Sequence, residues 1–361
     1  MRLVFMINLL VAITPVLGQP GTTGSYKAVE ARIHYGFIFA HSEAVQNTAG
    51  AHPAGVEVDL VRQRTDTAAW DVCHCYPTRG WSFSYFDFDS KILGRGFTTA
   101  YLLKPSYKLS QKAQFSFKGS IGLSYLTNPY HPQKNPTNLS YSTPISGFLQ
   151  LGVGGSYQVA SHWLLQAGVQ YQHASNGGFK EPNKGINWPT ASVGVTWYQR
   201  PYNLPVYNRR AEINFRKKDP YIEAGLFFSA RQGVKPDGST PRTPLVGVVA
   251  QAEKQVGRIS ALNTGLELYY DNALQQRLQV DSIDVVAWRA GLLAGHNFLL
   301  GKFFFSQQLG VYLYNRTPYY DRIYHRWTLR YLVNNRTLVG LGFKAHRHVA
   351  DFFDLRVMYR W

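Results

Sequence analysis

The stretch Asp351-Phe352-Phe353-Asp354-Leu355-Arg356-Val357-Met358-Tyr359-Arg360-Trp361 alternates with a period of two. Phe353, Leu355, Val357, Tyr359 and Trp361 share one face, and Asp354, Arg356, Met358 and Arg360 share the other. Successive side chains of a strand point to opposite faces, so this pattern reads as a β-strand with one apolar and one mostly polar side. The same theme recurs along the chain between Gly, Asn, Asp and Pro punctuation. Candidate strands lie near 27–40, 54–64, 79–88, 93–106, 112–126, 144–158, 162–174 and 189–199, then near 219–230, 243–255, 258–270, 283–297, 301–314, 323–333, 336–346 and 351–361. That makes about sixteen, with 14 or 12 as the even-numbered alternatives.

Composition narrows the class. The 361 residues hold 38 Lys+Arg against 21 Asp+Glu, a net charge of +17, yet only 16% are charged while 15% are aromatic. Ordinary soluble domains have about 25% charged residues. Many aromatics with few charges exclude disorder, and nothing in the composition suggests coiled coil or collagen. The cations are scattered among turns and polar strand phases, whereas a nucleic-acid protein gathers them into a stripe. Facing an anionic lipid surface or lining a polar interior are the two remaining uses for them.

Residues 1–18 read as a secretory signal peptide: Arg2 is the positive start, Leu3 to Leu17 is nearly all apolar, and Val16-Leu17-Gly18 precedes the cleavage point. No Cys stands there, which argues against a lipoprotein anchor. No later apolar run reaches about 18 residues, so helices do not span a membrane. Export, aromatic residues at strand ends and a final amphipathic strand closing on Trp361 together favour an all-β transmembrane antiparallel barrel over a soluble sandwich. Such an ending resembles the C-terminal signal of bacterial outer-membrane proteins. The expected organisation is one barrel over 19–361, with the bacterial outer membrane as its location. Turns at Asn334-Asn335 and near Ala350-Asp351 read as short periplasmic connections, 127–143 and 175–188 as outer loops, and the basic segment 200–218 as a linker or long periplasmic turn. Cys73 and Cys75 flank His74 without a second ligand pair; an oxidising compartment permits a bond between them across a short, strained loop, and the preferred reading is of local residues with no structural role.

One segment carries chemistry: Tyr171-Gln172-His173-Ala174-Ser175-Asn176-Gly177-Gly178-Phe179-Lys180-Glu181-Pro182-Asn183-Lys184-Gly185-Ile186-Asn187-Trp188-Pro189. His173 and Ser175 are two apart, so a strand places imidazole and hydroxyl on one face, the minimum for an activated serine. Two glycines beyond Asn176 free the backbone to aim N–H groups at an oxyanion. The odd positions Trp163, Leu165, Ala167, Val169 and Tyr171 are apolar and belong outside, whereas the even positions Gln166, Gln170 and Gln172 belong inside. His173 and Ser175 therefore fall on the lipid-facing phase. Asn187 falls on the same outer phase of the next strand, with Pro189, Ala191, Val193, Val195 and Trp197. A His-Ser pair near a loop is usually interfacial polar surface. Three polar side chains converging on a lipid face, however, cost free energy unless they serve a function.

The run His173-Ala174-Ser175-Asn176-Gly177, continued by Pro182-Asn183-Lys184-Gly185-Ile186-Asn187, resembles the signature of the lipid A 3-O-deacylase (PagL) family of outer-membrane barrels. The H-x-S-N-G core is also similar to outer-membrane phospholipase A. The resemblance implies His173 as general base, Ser175 as nucleophile, Asn176 and the N–H of Gly178 as oxyanion hole, and Asn183 as loop support. Asn187 departs from the Glu common in the deacylases and matches the Asn of the phospholipase. The likeness covers the part 19–200, which carries the motif. Residues 201–361 are additional strands whose tail, from Lys344-Ala345-His346 onward, looks like that of exported acyloxyacyl hydrolases.

The expected activity is removal of an ester-linked acyl chain from lipopolysaccharide, with no metal or other cofactor. Phospholipid hydrolysis is the alternative, and calcium enters only there. A non-enzymatic porin-like or adhesin barrel is the remaining rival. No nucleic acid is implicated as a partner. Lone histidines such as His34, His162 and His346 read as interfacial or lumen residues.

Overall fold

The computed structural model describes residues 24–207, 218–347 and 349–361. The expected signal peptide and part of the basic segment 200–218 lie outside the described residues. Among the described residues there are sixteen antiparallel strands, and they close as two eight-stranded barrels, not as one barrel of sixteen. The first holds β1 (Ser25–Gly36), β2 (Ala54–Arg64), β3 (Tyr76–Asp87), β4 (Arg95–Lys108), β5 (Ala113–Leu126), β6 (Ile145–Ala160), β7 (Trp163–Ser175) and β8 (Ile186–Tyr198). The second holds β9 (Tyr221–Gln232), β10 (Arg242–Gln255), β11 (Ser260–Asp271), β12 (Trp288–Leu300), β13 (Phe303–Tyr314), β14 (Ile323–Leu332), β15 (Thr337–His346) and β16 (Val349–Arg360). Among the described residues no helix is long and apolar enough to cross a membrane.

The single-barrel expectation fails because β8 returns to β1, from Ala28 opposite Tyr198 to Gly36 opposite Thr190, leaving no free edge for β9. Strand β16 likewise pairs with β9, with Leu355 opposite Phe228. Alternation reveals strands and their faces but not which strands pair. Side-chain volume agrees with closure at eight, a size whose interior is just filled by side chains.

The lumen of the first barrel is an ionic layer. Arg32 on β1 meets Glu30, Glu57 and Asp59, the last at 2.8 Å, and Lys118 on β5 reaches Glu57 at 2.7 Å and Asp59 at 2.9 Å. Lys104 pairs with Glu30, and Gln150 donates to Glu57 at 2.9 Å. Three cations thus face three carboxylates, and the cavity that remains is about 40 Å³. Above this layer sits an apolar plug containing Phe86, Phe88, Phe148, Ala174, Ile186 and Trp188. A lumen filled in this way leaves little open space along the barrel axis. The second barrel is filled in the same way, with Arg326 against Glu267 (3.0 Å) and Asp354 (2.7 Å) and Lys344 against Glu267 (3.2 Å). A minority of the cations of the sequence, among them Arg32, Lys104, Lys118, Arg326 and Lys344, is thus paired inside the barrels. His34 and His346 are buried lumen residues, His34 against Thr190 and His346 against Tyr312.

Several local expectations change. Asn334 accepts from the N–H groups of Arg336 and Thr337 in the β14–β15 turn, but the β15–β16 turn near Ala350-Asp351 lies at the opposite end, because β15 crosses the barrel between them. The pattern also hid two helices. α1 (Thr67–Cys73) is capped by Asp66, which accepts from the N–H of Ala69 at 2.9 Å. α2 (Asn272–Val280) is capped by Asp271 and sends Leu274 and Leu278 into the rim of the second barrel, so β12 starts later than position 283. Cys73 and Cys75 are joined in a disulfide, contrary to the reading of two cysteines without a structural role. His74 between them takes a left-handed φ of 50°, and this reversal at the end of α1 brings the two sulfurs together.

The barrels touch along their sides. Tyr101 on β4 and Phe303 on β13 stack with centroids 6.4 Å apart, and Arg258 donates to the carbonyl of Asp71.

Candidate active site

Strand β7 carries His173 and Ser175 at the end where it gives way to the 176–185 loop, and His173 lies directly opposite Asn187 on β8. The outward phase is as expected, since Trp163, Leu165, Val169 and Tyr171 are all exposed. Gln170 and Gln172 point inward and bond to Ser192 and Thr190. Yet Ser175 and Asn187, on the same outward phase, are only 4% and 6% exposed. The loop and its neighbours cover them.

The structure brings His173, Ser175 and Asn187 into one hydrogen-bonded chain. Nε2 of His173 is 3.1 Å from the Ser175 hydroxyl, and Nδ1 is 2.7 Å from Oδ1 of Asn187. An amide oxygen only accepts, so Nδ1 carries the proton and Nε2 is left as acceptor for the serine O–H. The Asn187 amide nitrogen in turn donates to Nδ1 of His41 at 2.8 Å. His41 thereby distinguishes the two ends of the Asn187 amide, keeping its oxygen toward His173. Sequence reasoning missed His41, which lies 146 residues from Asn187 in a segment without repeat or motif.

The loop is tied down by short polar contacts. Asn183 Oδ1 accepts from the N–H of Asn176 at 2.9 Å, while the N–H of Asn183 donates to Glu181 Oε2 at 2.9 Å. Both hydrogens of the Asn176 amide are engaged, by the carbonyl of Lys180 (2.7 Å) and the Ser142 hydroxyl (3.3 Å), so this side chain holds the loop in shape. Gly177 and Gly178 both take positive φ, 65° and 79°, which non-glycine residues adopt at a cost. Among the described residues the Gly178 N–H meets no hydrogen-bond acceptor. Gly185, with φ of 80°, packs on the imidazole so closely that a Cβ would stand 2.6 Å from Cε1 of His173. The neighbouring 127–144 segment supports it from behind, with the N–H of Gly185 donating to the Ser140 carbonyl at 2.7 Å. Tyr141 in that segment donates to the Leu93 carbonyl at 2.8 Å, and burial pushes its phenol above the usual range, so it stays a neutral donor.

Comparison with known proteins follows the two barrels. The family described as "Lipid A 3-O-deacylase (PagL)" matches residues 64–196, and "Acyloxyacyl hydrolase, C-terminal domain" matches residues 221–361. Among solved structures, the outer membrane enzyme PagL is 16% identical, covering 48% of this chain and 98% of its own, with a TM-score of 0.31. Neisserial surface protein A is 11% identical over 48% of this chain and 99% of its own, with a TM-score of 0.34. A Rhodopseudomonas blastica porin variant is 8% identical over 93% of this chain and 99% of its own, with a TM-score of 0.19. No curated protein matches the sequence. With one family domain on each barrel, the chain belongs to the PagL/acyloxyacyl hydrolase family of outer-membrane β-barrel proteins.

Proposed function

We propose that this protein is a serine ester hydrolase of the outer membrane that removes an ester-linked acyl chain from lipid A, using His173, Ser175 and Asn187 at the lipid-facing rim of the first barrel. The observation that carries this reading is the continuous chain from Asn187 through His173 to Ser175 on the outward strand phase. The family match supports the substrate class.

The chemistry is acyl transfer. Nε2 of His173 takes the Ser175 proton as Oγ attacks the ester carbonyl, giving a tetrahedral oxyanion. The Gly178 N–H stabilises that charge, while Asn176 and Asn183 hold the loop that aims it. The imidazolium then protonates the leaving sugar alkoxide, and the C–O bond breaks to leave an acyl-serine. Water attacks with His173 again as base, releasing the fatty acid and restoring Ser175. Asn187 orients the imidazole and sets its tautomer but, being neutral, does not offset its positive charge. A site on the outer wall meets the ester without drawing the acyl chain out of the bilayer. No step calls for a metal.

Mass spectrometry of lipid A and phospholipids after incubation with wild-type protein tests this. Loss of one acyl chain from lipid A is expected, and it should persist in a chelator. Asn187 is the feature that favours the phospholipase alternative, in which lysophospholipid accumulates, calcium is required and lipid A stays intact. No change in either lipid would sink the hydrolase reading. A second expectation concerns Gly185→Ala. Its methyl group would displace the His173 ring, and misplacement by ~1 Å costs up to about 10²-fold in rate. kcat should drop on that scale while circular dichroism stays that of the folded barrel.

A further inference from the structure

The second barrel meets the first at the loop that follows Ser175. Phe353, on the outward face of β16, packs against Gly177 so tightly that a Cβ there would overlap its ring. The carbonyl oxygen of Asp351 stands 3.3 Å from where a Cβ on Gly178 would be. Arg242, at the start of β10, lies over the Phe179 ring with 3.9 Å between guanidinium carbon and centroid. Gln232, at the end of β9, accepts from the N–H of Glu181 at 3.1 Å. Four residues between 177 and 181 are therefore each touched by the second barrel, from three of its strands. Phe353 is itself backed by a row of cross-strand partners, Phe343 at 4.7 Å and then Trp327 at 5.8 Å from Phe343.

These contacts bear on catalysis because an oxyanion donor works only when it is held in place before the charge develops. Gly177 and Gly178 are the residues with the most backbone freedom to lose. Asn176 and Asn183 fix the loop at its two ends, and the contacts from the second barrel fall between them. We infer that the second barrel is a positioning element of the hydrolytic site, with Phe353 and Gln232 holding loop 177–181 so that the Gly178 N–H faces the ester carbonyl. This rests on the serine hydrolase reading above and gives the second half of the chain a part in it.

The test is a double-mutant cycle in the full-length protein between Gly177→Ala and Phe353→Ala, read as kcat and KM on lipid A. Phe353→Ala should lower kcat roughly 10-fold or more, within the range that loop misplacement produces, with KM unchanged and Phe353→Tyr restoring the rate. Gly177→Ala should cost less in the Phe353→Ala background, because the ring that its methyl would strike is gone. Strictly multiplicative losses, or wild-type kcat in Phe353→Ala combined with Gln232→Ala, would overturn the inference. A Glu181→Cys/Gln232→Cys pair supplies a readout that does not need activity, since a cross-link should form if the barrels meet as described. A cross-link in a chain whose wild type hydrolyses no lipid refutes the hydrolase reading, and the positioning role with it. Hydrolysis without a cross-link and without coupling refutes the positioning role alone.

Discussion

Ser175→Ala should abolish turnover of lipid A, with kcat falling by about 10⁴-fold or more, while the barrel folds as before. The size follows from the role: without Oγ there is no acyl-enzyme, and only the catalysis that oxyanion donors and binding provide survives, about 10³–10⁴-fold over water in well-studied serine enzymes. Ser175 is small, and its hydroxyl bonds to His173 in a part-buried position, so the methyl of Ala fits without displacing β7. His173→Ala should cost about as much, because groups that act as a unit are not additive, and the Ser175/His173 double variant should be scarcely slower than either single one. Single-turnover assays with mass detection of released fatty acid check this. A Ser175→Ala protein retaining more than about a tenth of wild-type kcat would remove Ser175 as the nucleophile.

The largest expected loss of stability comes from the lumen. Glu57 is 2% exposed and pairs at once with Arg32 and Lys118, with Gln150 donating to its second oxygen. Removing one member of a buried ion pair leaves uncompensated charge and costs about 3–5 kcal/mol. Glu57→Gln should therefore lower the unfolding free energy in detergent by about that amount. Adding Lys118→Met should recover part of it, since the excess cation is then removed as well. Urea titration followed by tryptophan fluorescence measures both variants. Equal or greater loss in the double variant would mean that Lys118 is stabilised mainly by Asp59, with which it also pairs at 2.9 Å.

Much of the fold was legible because a strand's period of two survives in any context. The last strand shows this well. Leu355, Val357 and Trp361 are exposed on the outside, and Asp354 and Arg356 are buried within, as their alternation implies. The site was legible for the same reason: His173, Ser175 and Asn187 share a phase, and β7 and β8 are consecutive strands of one hairpin. Other features left no such trace. α1 is seven residues long and α2 nine, too short for a helical period to stand out against the strands around them. The Cys73–Cys75 bond depends on the left-handed turn at His74, which the residue types alone do not specify.

By itself, then, the sequence determined a run of about sixteen amphipathic strands, with 14 or 12 left open, their inner and outer faces, and a His-Ser-Asn set on one outer face, since each follows from spacing along a single strand or hairpin. Only the tertiary structure decided that these strands close twice at eight, because closure is a pairing between β1 and β8 and between β9 and β16, residues far apart in the chain. For the same reason it alone placed His41 behind Asn187 and Phe353 against Gly177. Contacts across more than a hundred residues arise from the closure of each barrel and from the packing of one barrel on the other, and no local period records them.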